Sequence, residues 1–208
     1  LLEYLWDKGE IAISYRRQNR KYYDFTWRLF PNITQTISKT ESRAWILESF
    51  FHYFGILRAN KLNRVGYARN LELSNLLSTW IEQGKVIPLS IPEISTKYYI
   101  LASQISLIES TPQTSDQLIN ILPPLDPMVI DRQILQDIFD FTYTWEAYMP
   151  AHKSKFGYYG MPVLYRNNFV GQIELVKSNN SLAIKTADIP NADSSLRSLL
   201  NKEITRMS

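Results

Sequence analysis

The 208-residue sequence has no cysteine and only two histidines, His52 and His152. The lack of cysteine removes any disulfide framework and any sign of an oxidising compartment. With so few thiolate or imidazole ligands, neither a structural zinc site nor another metal or organic cofactor is expected. No apolar run approaches the roughly 20 residues that span a bilayer, and no signal peptide is evident. A cytoplasmic location with no membrane partner is the expectation. The chain opens at Leu1, not Met, inside what reads as the end of a helix. The reading is an N-terminally truncated fragment or a processed form, in which Leu1–Lys8 frays. What is present is an apolar fraction of 45%, enough for one large domain or two small ones.

Net charge is +3, and its distribution is uneven. Residues 1–100 hold 14 Lys and Arg against 9 Asp and Glu, giving +5. Residues 101–208 hold 9 against 11, giving −2. A basic excess in one half suits nucleic acid, although a solvated basic surface carries as much.

Leu1–Lys8 reads as a helix end stopped at Gly9. Glu10–Tyr15 alternates as a strand, Arg16–Arg20 is a polar tip, and Lys21–Phe25 returns. Helix end, strand, basic tip and return strand form the last part of a winged-helix unit over residues 1–33. Arg16, Arg17, Arg20 and Lys21 could meet phosphates, with Tyr22 and its neighbours packing on sugar or base. A merely solvated tip is the other reading. Thr26–Ile37 is a connector.

Ser38-Lys39-Thr40-Glu41 fits a capping box. The helix behind it carries Leu47, Phe50, Phe51 and Phe54 at helical spacing, a core stripe. Ile56–Arg69 reads as a short helix and turn punctuated at Gly66, and Asn70 caps the next helix. Leu73, Leu76, Leu77, Trp80 and Ile81 face inward there. Lys85–Ser90 and Lys97–Leu101 are strand-like. This order predicts a winged-helix domain over residues 34–110. Its third helix presents Glu72, Ser74, Asn75, Ser78, Thr79 and Glu82, with no arginine to read guanine. Arg58, Lys61, Arg64 and Arg69 precede it, so the unit contacts backbone or serves as scaffold.

Thr111–Asp116 is a polar linker and the clearest boundary. Residues 111–208 are expected to form an antiparallel β domain with a short helix and a C-terminal helix. Asp126-Pro127 sets a turn, and Asp131 opens a helix with Ile134, Leu135 and Ile138 on one face. Phe141, Tyr143 and Trp145 alternate with threonines as a strand does. Tyr158–Tyr165 and Phe169–Val176 are two more strand-like runs around an Arg166-Asn167-Asn168 turn, and Ser181–Thr186 adds a fourth. Asp193 or Ser194 caps a final helix with Leu196, Leu199, Leu200 and Ile204 on one face. Asp126, Asp131 and Arg132 form either a cluster near an active site or, more commonly for such residues, turn and helix caps with an internal ion pair.

Leu125-Asp126-Pro127, Ile130-Asp131-Arg132, F-x-Y-x-x-E-x-Y-x-P over Phe141–Pro150, the basic Lys153–Lys155, G-Y-Y-x-x-P-V-L over Gly157–Leu164 and the V-G run over Val170–Lys177 stand in one order. That ordered block resembles the C-terminal part of the winged-helix DNA glycosylases of the YcaQ/AlkZ type, which unhook interstrand crosslinks. The opening, with Leu5-Trp6, Gly9-Glu10 and Tyr23-Asp24, resembles an upstream segment of that family. The resemblance implies an α+β fold of tandem winged helices followed by the β domain. It further implies a monomeric partner of double-stranded DNA. The activity implied is hydrolysis of the N-glycosidic bond of alkylated or crosslinked purines.

In the family that chemistry belongs to a Gln-hydrophobic-Gln or Gln-hydrophobic-Asp motif upstream of the segment where this chain opens. Gln172-Ile173-Glu174 fits superficially but aligns with a strand. No catalytic residue is therefore assigned to this chain. Lys153, Lys155 and Tyr158 remain as a basic loop beside tyrosines suited to a DNA channel wall. A non-enzymatic winged-helix module binding DNA or protein is the alternative.

Overall fold

A computed structural model describes residues 1–33, 37–62, 71–110, 118–150, 152–179 and 181–208. The fold is α+β with antiparallel sheets. It divides into two units, Leu1–Trp45 and Ile46–Ser208.

In the first unit, α1 (Leu2–Asp7) buries none of its residues. Gly9, at φ 75°, turns the chain into β1 (Ile11–Arg17), which pairs with β2 (Arg20–Phe25). One helical turn, α2 (Thr26–Leu29), follows where a plain connector was expected. The Thr26 hydroxyl closes it back by donating to the Gly9 carbonyl at 2.6 Å. Then α3 (Lys39–Phe54) begins at the expected capping box. The Glu41 amide donates to Ser38 Oγ at 3.2 Å and the Ser38 amide to Glu41 Oε2 at 2.8 Å. The Ser38 hydroxyl and the Ser38 amide, both bonding to the Glu41 carboxyl, hold it below its ordinary range.

In the second unit, the end of α3 buries Leu47 and Phe51. Next come β3 (Leu57–Arg58), α4 (Ala59–Leu62), α5 (Leu71–Glu82), β4 (Val86–Leu89) and β5 (Tyr98–Leu101). The strands form one sheet in the order β3–β5–β4. A helix was expected where β3 lies, because two residues are too few to show a period of two. On α5, Leu73, Leu77 and Trp80 are buried as their spacing requires. Arg64, Gly66, Arg69, Asn70 and the linker at 111–116 lie outside the described residues. A 3-10 turn at Ala102–Gln104 leads into α6 (Ile105–Glu109).

A second sheet, β6 (Ile119–Ile121), β7 (Gly160–Tyr165), β8 (Asn168–Ser178) and β9 (Ser181–Asp188), is antiparallel in that order. Register shifts at Val163/Leu164 and Glu174/Leu175 bend it into a curl. Between β6 and β7 lie α7 (Pro127–Ile130) and α8 (Arg132–Phe139). The chain closes with α9 (Ser194–Met207), capped by Asp193, whose carboxylate accepts from the Leu196 amide at 2.7 Å. Leu196, Leu200 and Ile204 bury against Ile119, Ile121, Val163 and Ile173. Each such side chain contributes about 1.5–3 kcal/mol, so α9 is held to the sheet chiefly by these three.

Two expected strands are corrected. Phe141–Trp145 keeps the alternation, with Tyr143 buried and Thr142 and Thr144 exposed, but pairs with no strand. The Tyr143 hydroxyl donates to the Gly160 carbonyl at 2.8 Å, so a side chain anchors this segment. The run from Tyr158 begins as a 3-10 turn, Gly157–Tyr159, and the strand starts only at Gly160. Gly157 forces the delay: its φ is 65°, and a Cβ there would sit 2.6 Å from Glu174 Oε1.

Candidate nucleic-acid interface

The β1–β2 register places Arg17 opposite Arg20 and Arg16 opposite Lys21. Gln18, at φ 54°, makes the tip between them. Like charges directly opposed destabilise a hairpin, so this cross-strand pairing does not serve its folding. One step down, Tyr15 stacks on Tyr22 with centroids 4.4 Å apart and planes 8° from parallel. Lys21 Nζ lies 4.2 Å from the centroid of the Trp6 ring, which steadies that cation. Arg16, Arg17 and Arg20 are exposed. The result is a ridge of donors above an aromatic layer, a shape that can grip phosphates and pack on sugar.

In the second unit, Lys153, Lys155 and Tyr158 belong to one loop built around Glu146. Glu146 Oε2 accepts from Ser154 Oγ at 2.8 Å, the Lys155 amide at 2.8 Å and the Phe156 amide at 2.7 Å. Burial alone pushes this carboxyl up. The bonds from Phe156, Ser154 and Lys155 outweigh it and hold the group below its ordinary range. Lys155 is paired with Asp188 on β9, and both are substantially exposed. A pair in that setting is worth about 0–1 kcal/mol, so an incoming phosphate can displace it. Lys153 is exposed. Tyr158 and Tyr159 are both exposed, although alternation along a strand would bury one of two adjacent rings.

Asp126 and Asp131 are caps. Asp126 accepts from the Met128 amide at 2.9 Å and Asp131 from the Gln133 amide at 3.2 Å. Asp131 is buried and is gripped by the Arg58 guanidinium through Nε and Nη2, with Lys61 Nζ at 4.0 Å. The ion pair is therefore with Arg58, 73 residues away, and not with Arg132. Arg132 donates to the Val129 carbonyl and lies over the Tyr143 ring, 4.6 Å from its centroid. Burial pushes the Tyr143 hydroxyl up to about 12, which keeps it a donor. Close by, buried Tyr98 donates to Asp137 Oδ2 at 2.7 Å, tying β5 to α8. Arg58, Lys61 and Arg132 line a pocket of about 640 Å³ with Asn60 and Gln133.

The outer face of α5 carries no cation among its described residues, and two of its hydroxyls bond to their own helix. Ser78 donates to the Ser74 carbonyl and Thr79 to that of Asn75. Gln172-Ile173-Glu174 lies on β8, with Ile173 in the core and buried Glu174 paired to Lys185 at 3.0 Å. Among the described residues no group of carboxylates and imidazoles is placed to hold a metal. No described helix is long and apolar enough to cross a membrane. Sequence reasoning passed over Glu146 and Tyr148, although both stand in the F-x-Y-x-x-E-x-Y-x-P run that names them.

The family model described as "DNA glycosylase AlkZ-like" matches residues 1–208, and the chain belongs to that family. Among solved structures, the Streptomyces sahachiroi DNA glycosylase AlkZ is similar, with a TM-score of 0.64 at 13% identity over 94% of this chain. At that identity the likeness is one of fold. The chain spans 50% of the length of that structure.

Proposed function

We propose that this chain is the DNA-binding portion of a repair glycosylase that hydrolyses the N-glycosidic bond of alkylated or crosslinked purines. Family membership supports the class of activity. The observation that carries the DNA-binding part is the opposed cation pairs Arg16–Lys21 and Arg17–Arg20 above the Tyr15–Tyr22 stack. A hairpin with four like charges opposed across its tip gains from an anion that neutralises them. In this reading the hairpin is the wing of one winged helix. The run α3–β3–α4–α5–β4–β5 is a second, used for backbone contact or scaffold. Lys153, Lys155 and Tyr158 form a further contact with double-stranded DNA, and a monomer acting at the nucleoid fits the whole.

The test is fluorescence anisotropy with a short duplex across a salt series, beside Arg16/Arg17/Arg20/Lys21→Ala. The wild type is expected to bind with a negative salt slope. The quadruple variant should flatten that slope by roughly 0.9 for each phosphate it no longer neutralises. Equal slopes would remove the hairpin from the interface. No binding by the wild type at low salt would favour a protein-interaction module.

A further inference from the structure

Three exposed tyrosines and the half-buried Trp145 form a continuous aromatic cluster on the loop that Glu146 organises. Trp145 meets Tyr148 edge-on at 5.9 Å and Tyr158 at 6.1 Å, and Tyr158 meets Tyr159 at 4.7 Å. Tyr148 is 84% exposed, Tyr159 60% and Tyr158 49%. Rings left this open add little to the core, yet the loop beneath them is firmly built. Trp145 Nε1 donates to the Tyr158 carbonyl at 2.9 Å, Ser154 Oγ accepts from the Gly157 amide at 2.8 Å, and Glu146 accepts the three bonds described above. Exposed Lys153 rises from the same loop.

We infer that this cluster is a stacking platform for an unpaired nucleobase, with Lys153 set to neutralise the adjoining phosphate. The inference rests on the reading of the chain as a DNA binder and adds the kind of DNA it prefers. A base stacks on an aromatic face whatever its identity, and the gain is largest where its partner strand does not hold it. A platform already rigid loses little entropy on binding. Within an intact duplex every base face is covered, so the cluster would discriminate paired from unpaired sites without reading sequence. The exposure of Tyr148 and Tyr159 leaves ring surface free for a base to cover. The exposed Lys153 on the same loop favours an anionic strand over an uncharged apolar partner.

The experiment compares two duplexes of equal length, one fully paired and one with a single bulged thymine, by anisotropy at one salt concentration. The wild type is expected to bind the bulged duplex about tenfold more tightly. Tyr148→Ala/Tyr159→Ala should erase that preference while leaving the paired duplex and its salt slope unchanged. Tyr148→Phe/Tyr159→Phe should retain it, because stacking uses the ring and not the hydroxyl. Equal wild-type affinity for the two duplexes, or a preference that survives the alanine changes, overturns the platform and leaves the DNA-binding reading standing. Failure of the wild type to bind either duplex overturns both.

Discussion

The hairpin and the Arg58–Asp131 cluster hold their cations in opposite ways. On the hairpin, cation faces cation across the strands at an exposed tip. In the cluster, Arg58 and Lys61 converge on one buried carboxylate that also caps α8. The cross-strand opposition in the first works against folding, and apart from Lys21 on the Trp6 ring its cations reach out to solvent. The second is satisfied internally. A count of basic residues treats both alike, and only the partner of each charge separates a binding surface from a structural tie.

The largest effect that tests this contrast should come from Asp131→Ala. It leaves the Arg58 guanidinium unpaired and removes the cap of α8. Urea denaturation should show a loss of about 3–5 kcal/mol, the usual result of breaking a buried pair from one side. A loss under about 1 kcal/mol would mean that the pair is not structural. Gly157→Ala is expected to rank next, at about 1–3 kcal/mol, since it forces a side chain into the left-handed region against Glu174. Melting temperature reads it directly.

Acid should then separate the internally satisfied groups from the hairpin. The folded Glu146 carboxyl titrates below its unfolded value of about 4.3. Its contribution is therefore fully present above that value and fades as pH falls through the lower folded one. The amide signals of Lys155 and Phe156, followed by NMR, should move in that acid window while those of Arg16–Lys21 stay still. Signals that change only near neutrality would assign the loop's order to another group. The smallest effect belongs to Arg17→Thr, which removes one opposed pair. It should raise stability by about 0.2–1 kcal/mol while weakening duplex binding. A variant that is less stable would show that the tip cations do serve the hairpin.

Much of this was legible in the residues. The capping box at Ser38–Glu41, the stripe Leu73–Leu77–Trp80 and the final helix each carry a local signal, and each stands where its signal put it. Local signals also misled. Alternation at Phe141–Trp145 records burial, which a segment anchored by Tyr143 shows as well as a strand does. The pair Tyr158-Tyr159 reads as strand until the left-handed Gly157 sets a turn beneath it. Other features had no local signal at all. β3 is two residues long, and nothing near Arg58 announces a carboxylate 73 positions away. The basic hairpin was visible because strands and tip are contiguous, whereas the aromatic cluster joins Trp145 and Tyr148 to Tyr158 and Tyr159 only once the loop has closed.

The Arg58–Asp131 tie and the Tyr98–Asp137 bond cross the stretch of sequence that looks most like a seam. A protease cut or a split gene at that seam should not yield two independent proteins. Expressed alone, residues 118–208 would carry Asp131 and Asp137 without their partners, and residues 46–110 would carry Arg58 and Tyr98 without theirs. Mixed together, the two pieces should find each other and recover through the same two bonds.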